Sequence, residues 1–325
     1  MRRPVDDAGL ELLRAAVSKR LGLHLEGANP AVLASLAQER VQATGAPSLA
    51  AYARRIEAGE LAGELRLLAE RLTVGETYFF RNEHDLRAFT DLAVPELRAA
   101  RAAGRRLRIL SAGCATGEEP YTLAMLVVGA SELAGWDVRI RAVDVSPAAI
   151  ERARRGRYGA WSLRQTPDEA RARFFVADGR EHVVAPEVAS LVEFEERNLV
   201  DDDPALWTPG GYDVVFCRNV TMYFPPHVAR AVLTRIAASL VPGGFLFLGH
   251  AETLFGLSTD FDVRETRGAF IYQRRGGALV APLAPAGDLA PTGAGPGWLE
   301  AIHAASERVG ALVARHEAAP ATAAR

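Results

Sequence analysis

The chain has 325 residues, 49% of them hydrophobic and 24% charged, with a formal net charge of −2. That length accommodates about two domains of an ordinary globular protein, and the near-neutral balance gives no global pull toward nucleic acid or a membrane surface. Two cysteines, Cys114 and Cys217, are too few for a disulfide framework and fit a reducing compartment. No run approaches the ~18 apolar residues of a membrane span, and the start, MRRPVDDAGLELL, lacks the apolar core of a secretion signal. A cytoplasmic protein is expected.

Residues 1–75 read as a helical domain. Leu10, Leu13, Val17 and Leu21 recur at helical spacing, followed by Leu33 and Leu36, by Leu49, Tyr52 and Ile56, and by Leu65, Leu68 and Leu72. Gly22, Gly27, Pro30, Gly45 and Pro47 separate these stretches. The segment TVGETYFFRN (73–82) then places three aromatics between polar residues. Two readings stand: Phe79 and Phe80 staple the helical domain to the next one, or Thr77 and Arg81 stand over a cofactor site. A helix is expected from about His84 to Ala103, kinked or restarted at Pro95; residues 76–104 form this connection.

An α/β pattern fills 105–275. In LRILSAGCATGEEP (107–120) an apolar strand runs into Gly113 and Gly117 and then a helix, the layout that presents a nucleotide-like cofactor at a strand's carboxyl end. Gly113 lets the backbone approach a ligand closely. The spacing is not G-x-G-x-x-G, and Glu118 and Glu119 would repel a pyrophosphate at the helix start while attracting a sulfonium or ammonium group. The turn points to S-adenosylmethionine (SAM) over NAD, with a purely structural turn as the alternative. The second strand ends in Asp144, where a ribose hydroxyl pair is gripped or a turn is capped. Ser146 as N-cap and Pro147 at the first helical position follow.

Residues 158–190 interrupt the rhythm. Phe174, Phe175 and Val176, then Asp178-Gly179, then Val183 and Val184 read as a hairpin, a small antiparallel insert. Leu191–Glu196 restores a strand, with Asn198-Leu199 beyond its end. YDVVFCRN forms the fourth strand, ending in Arg218-Asn219. A helix follows VTMYFPP; Pro242-Gly243-Gly244 is expected to turn the chain into a fifth strand, FLFLGH. Phe261–Glu265 and Ala269–Arg274 form a terminal hairpin. Residues 276–296 are an Ala/Pro/Gly-rich linker, and 297–316 spell an amphipathic helix around Trp298, Leu299, Ile302 and Val309.

Taken in order, GETYFFR, SAGCATGEEPYTLAM, DVSPAAIERA, RNLV, FCRNVTMYF and LGHAET resemble the chemotaxis receptor methyltransferase (CheR) family from about residue 5 to 274. The resemblance implies an all-α N-terminal domain and a Rossmann-like SAM-dependent methyltransferase domain carrying a small antiparallel β-subdomain. It implies S-adenosyl-L-methionine as methyl donor, S-adenosyl-L-homocysteine as product, and methyl esterification of glutamates on methyl-accepting chemotaxis receptors. The family's cofactor contacts fall on Thr77, Arg81, Glu118 and Glu119 (Glu119 preferred), Asp144, Asn198, Leu199, Arg218 and Asn219. Arg81 and Tyr223 match residues beside the transferring methyl. Gly75 departs from the Asn that many members carry. A monomer acting in the cytoplasm and recruited to receptor arrays is the implied setting, with no nucleic acid and no membrane insertion.

The chemistry asks for little acid–base machinery. A glutamate carboxylate, with an unperturbed pKa near 4.3, is already a nucleophile at neutral pH. His24, His84, His182 and His227 are too dispersed for a metal site, and His250 reads as structural. Two alternatives remain: a SAM-dependent enzyme with another acceptor, and a SAM-binding scaffold without activity.

Overall fold

The computed structural model describes residues 7–25, 30–73, 75–266 and 268–276. Apart from Gly276, the expected linker and the expected C-terminal helix lie outside the described residues. Four helices come first: α1 (Asp7–Leu21), α2 (Pro30–Thr44), α3 (Leu49–Ala58) and α4 (Ala62–Leu72). Leu10, Leu13, Val17, Tyr52, Ile56 and Leu68 meet in one core, as their spacing dictates. Ser48 caps α3 by accepting from the Ala51 N–H, and Gly59 ends it in the left-handed conformation. No helix among the described residues is long and apolar enough to cross a membrane.

The connecting helix is continuous but changes pitch. α5 (Glu83–Ala88) passes through a π-turn (Phe89–Ala93) into α6 (Val94–Ala100). The Val94 N–H reaches back to the Phe89 carbonyl, and Pro95 follows at once. Proline has no N–H to donate, and its ring would crowd the Asp91 carbonyl in a regular helix. The widened turn absorbs that conflict.

The sheet proper starts with β1 (Arg106–Ala112), α7 (Glu118–Gly129), β2 (Asp137–Asp144) and α8 (Pro147–Arg155). The insert then comprises β3 (Arg157–Gly159), α9 (Asp168–Phe174), β4 (Phe175–Asp178), β5 (Glu181–Val184) and α10 (Pro186–Ala189). β4 and β5 form the expected hairpin, although Phe174 closes α9 rather than opening the strand. β3 adds a third strand that the sequence did not announce, giving the order β3-β5-β4. β6 (Val192–Glu196), β7 (Tyr212–Cys217), α11 (Pro226–Ser239), β8 (Leu240–Leu248), β9 (Phe261–Thr266) and β10 (Ala269–Arg274) complete the described elements.

The main sheet has the order β6-β2-β1-β7-β8-β10-β9. Its first five strands are parallel, and β10 and β9 close it antiparallel. Alternate side chains feed two cores: Ile109, Val214, Phe216, Phe245 and Phe247 on one face, Leu110, Val215, Leu246 and Leu248 on the other. Such continuous apolar runs are what a parallel sheet buried on both faces requires. The architecture is the expected Rossmann-like α/β domain with a small antiparallel sheet, preceded by an all-α domain. One expectation fails. Pro242–Gly244 does not turn the chain into a strand but lies inside β8, where the pairing jumps from Tyr212–Leu240 to Val214–Phe245. The bulge lets the strand keep its partner on both sides of a proline.

The aromatic segment also departs from one of its readings. Phe79 is fully buried, with its ring edge-on to Tyr158 at 4.8 Å and to Phe175 at 5.0 Å. Its N–H donates to the Ser162 carbonyl, and the Phe80 N–H donates to the Thr122 hydroxyl. Phe79 and Phe80 therefore fasten the segment to the insert and α7, not to the helical domain. Replacing Phe79→Ala should cost about 3–5 kcal/mol in urea unfolding. A loss below about 1 kcal/mol would mean that the ring does not anchor the segment.

Candidate active site

The strand order reverses between β1 and β7, and in open α/β sheets ligands bind outside the carboxyl ends of the strands at such a point. The β1–α7 connection is wound tightly there. Gly113, Ala115 and Gly117 have φ of 77°, 47° and 96°, a region in which side chains are disfavoured. A Cβ on Gly113 would lie 2.4 Å from Val220 Cγ2, and one on Gly117 would lie 2.8 Å from Ala153 Cβ. Glycine is required at both by close approach as well as by φ. Asp144 locks the turn to β2: its carboxylate accepts from the Ala115 N–H and the Ser146 N–H, both at 2.9 Å.

A cleft of about 840 Å³, counted out to its open mouth, lies over these ends, within the range of cofactor sites. Of the residues expected at the site, Gly113, Asp144, Asn198, Leu199, Asn219 and Tyr223 line it. The opposite wall comes from the all-α domain through Leu21, Leu23, Glu70 and Thr73, none of which the sequence had marked. The two domains are pinned around the cleft. The Asn198 side-chain amide donates to the Arg20 carbonyl at 2.9 Å, and the His24 N–H donates to the Tyr223 carbonyl at 2.6 Å. Arg66 grips Glu196 through two bonds of 2.7 Å. The Asn198 side chain thus serves the domain junction, while Leu199 stands beside it in the cleft wall.

Next to the cleft lies a buried charge cluster. The Arg218 guanidinium meets Asp85 at 3.3 Å and Glu119 at 3.4 Å, and donates to the Arg81 carbonyl at 2.8 Å. The Ser111 hydroxyl donates to Glu119 at 2.8 Å. Glu118 faces elsewhere: it accepts from the Thr116 and Ser162 hydroxyls at 2.7 and 3.0 Å. Its carboxylate is committed to the insert rather than to the cleft. Asp85 had no signal in the sequence, being one acid on a charged helix.

Arg81 belongs to a stack on the aromatic segment. Its guanidinium donates to the Glu76 carbonyl at 2.9 Å and sits 5.6 Å from the Tyr78 ring centre. Arg164 stands 3.8 Å from the same ring and 4.4 Å from the ring of Trp161, which is 72% exposed. Thr77 is half-buried on this segment and, like Arg81, is not part of the cleft wall.

The donor set fits SAM. Burial pushes the Glu119 carboxyl up, against the pull of Arg218, the Ser111 hydrogen bond and Arg81. Burial likewise pushes Asp144 up, opposed by backbone N–H groups of Ser146, Ala115 and Val145. Two desolvated carboxyls, with Arg218 already shared by Asp85, would reject a pyrophosphate and welcome a sulfonium or ammonium. Glu119 would hold the methionine part and Asp144 the ribose, while Gly113 lets Val220 close against the turn.

The sign of the pH dependence follows. The free fold retains protons that the unfolded chain releases near the ordinary values of 4.5 and 3.8, so it loses stability as pH rises through the raised values. A cation selects the ionised carboxylates, so affinity for SAM should rise with pH through the same interval. Calorimetric titration across the interval in which affinity rises should show proton release on binding. Glu119→Gln should remove most of that release and weaken affinity by about tenfold or more; a pH-independent affinity in the native protein would contradict the assignment.

Residues 75–270 match the family described as CheR methyltransferase, SAM binding domain, and residues 8–73 match CheR methyltransferase, all-alpha domain. Chemotaxis protein methyltransferase 1 of Pseudomonas aeruginosa is 33% identical over 276 residues, 83% of this chain and 98% of its own. Chemotaxis protein methyltransferase Cher2 of Pseudomonas putida is 30% identical over 274 residues, 82% of this chain and 97% of its own. The probable biofilm formation methyltransferase WspC of Pseudomonas putida is 35% identical over 235 residues, covering 72% of this chain but 54% of that protein. The chain belongs to the CheR methyltransferase family, and its α/β domain is a SAM-binding methyltransferase domain.

Proposed function

We propose that the chain is a protein-glutamate O-methyltransferase that esterifies glutamate side chains on the cytoplasmic domains of methyl-accepting chemotaxis receptors. It acts as a monomer in the cytoplasm, recruited to receptor arrays. The observation that carries the reading is the opposition of charges: buried carboxyls, Glu119 and Asp144, beside the cleft, and the guanidinium of Arg81 within electrostatic reach of Tyr223. The names of the relatives that share most of this chain's length, chemotaxis protein methyltransferases, support a role in chemotaxis.

When bound, SAM supplies an electrophilic methyl group on a sulfonium. The acceptor carboxylate needs no base, because it is ionised at neutral pH. Arg81 presents a planar fork that orients a carboxylate, with one nitrogen tied to the Glu76 carbonyl. Burial pushes the Tyr223 phenol above its ordinary value, against the pull of Arg81, so the hydroxyl keeps its proton and is available to donate to the acceptor carboxylate. Excluding water from the acceptor carboxylate strengthens its attack, because opposite charges cancel as the reaction proceeds. Catalysis is positioning.

Transfer of labelled methyl from SAM to receptor cytoplasmic fragments, followed by alkali, tests the reading. Label released as methanol is expected. Alkali-stable label would move the activity to a nitrogen or ether acceptor, and no transfer despite SAM binding would leave a scaffold. Arg81→Ala should lower turnover by about a hundredfold while shifting the thermal midpoint by no more than a few degrees; unaltered turnover would remove Arg81 from the mechanism.

A further inference from the structure

Glu252 lies in the connection between β8 and β9, outside every role assigned above. Its carboxylate is ringed by donors from two loops. One oxygen accepts from the N–H groups of Gly249 at 2.7 Å and Asn219 at 2.6 Å. The other accepts from the N–H groups of Val220 at 2.9 Å, Thr221 at 2.7 Å and Met222 at 3.3 Å, and from the Thr221 hydroxyl at 2.6 Å. Four consecutive backbone N–H groups, 219 to 222, thus converge on one side chain. Such a concavity is an anion-binding nest, and here the chain supplies its own anion.

The fit is close on both sides. Asn219 has φ of 58°, the left-handed region that asparagine tolerates better than most side chains. A Cβ on Gly249 would lie 2.8 Å from the Glu252 carboxylate and 2.9 Å from the Asn219 nitrogens, so only glycine lets the loops approach this far. The clamped loop is a wall of the cleft: Asn219, Val220, Tyr223 and Phe224 line it, and Val220 fills the space that Gly113 leaves. Tyr223 also feels the Glu252 charge, which helps to push its phenol up.

We infer that Glu252 is a positioning residue for the cofactor: its charge folds the 219–223 loop into the shape that receives SAM. Hydrogen-bonding capacity alone does not suffice. A glutamine of the same size would turn an NH₂ group toward converging N–H donors, and the nest would open. The inference rests on SAM binding, not on the glutamate acceptor, so it stands or falls independently of the methanol-release experiment.

The test is the Kd of SAM and of S-adenosyl-L-homocysteine on the full chain by calorimetry, beside the circular dichroism of each variant. Glu252→Gln should keep the native spectrum and weaken both ligands by about tenfold or more. Arg230→Ala, which removes a bond from α11 to the Gly256 carbonyl of the same β8–β9 connection, should stay within about twofold of the native Kd. Native affinity in folded Glu252→Gln would overturn the inference, as would an equal loss in Arg230→Ala, which would mean general loosening of the loop. If Glu252→Gln does not fold, Thr221→Val decides: it removes one donor and keeps every N–H, and about a threefold loss is expected, with native affinity counting against the inference.

Discussion

The site depends on one buried guanidinium. Arg218 is held among Asp85, Glu119 and the Arg81 carbonyl, which come from two stretches far from it in the chain, residues 81–85 and the start of α7. A buried charge costs several kcal/mol in lost hydration unless it is paired. Arg218 can therefore occupy its place only when α5, the start of α7 and the aromatic segment are all present. The same constraint fixes Glu119, because Ser111 and Arg218 hold its two oxygens from either side. Breaking such a set by removing one partner costs about 3–5 kcal/mol, more than the pair contributes by existing. The cluster is better understood as specifying an arrangement than as adding stability.

Around that cluster the charges are sorted by depth. Carboxyls whose ionisation burial opposes stand next to the cleft, where a cation would favour their ionised form. Guanidiniums stacked on aromatic rings stand on the segment at its edge. Planar guanidinium is weakly hydrated and stacks on ring faces, so Arg164 and Tyr78 give Arg81 a rigid support without neutralising it. The fold supplies an interior suited to a positive ligand and an exterior suited to a negative one.

Sequence reasoning recovered what local signals encode. The glycine turn after β1, Asp144 at the end of β2 and the Ser146-Pro147 helix start are each written within a few residues, and each stands where it was expected. The choice between Glu118 and Glu119 is harder, since neighbours on a helix face directions about 100° apart and only the fold says which one meets Arg218. Asp85, Glu252 and the wall formed by Leu21, Leu23, Glu70 and Thr73 were not legible as site residues. Their significance arises from partners distant in the chain, as where Asp85 meets Arg218, and no periodicity records such a meeting. Pro242–Gly244 misled for the opposite reason: a strong turn signal yielded to pairing on both sides of β8.

The placement of the cleft has a thermodynamic consequence. Its walls belong to both the all-α and the α/β domains, joined there by Arg66 with Glu196 and by the backbone bond from His24 to Tyr223. A ligand filling that space contacts both at once and is lost when either one unfolds. Binding free energy is then added to the stability of the pair rather than to one member. Saturation with cofactor should merge the melting of the two domains into a single cooperative transition, so that the helical domain of the loaded enzyme survives to the temperature at which the sheet gives way.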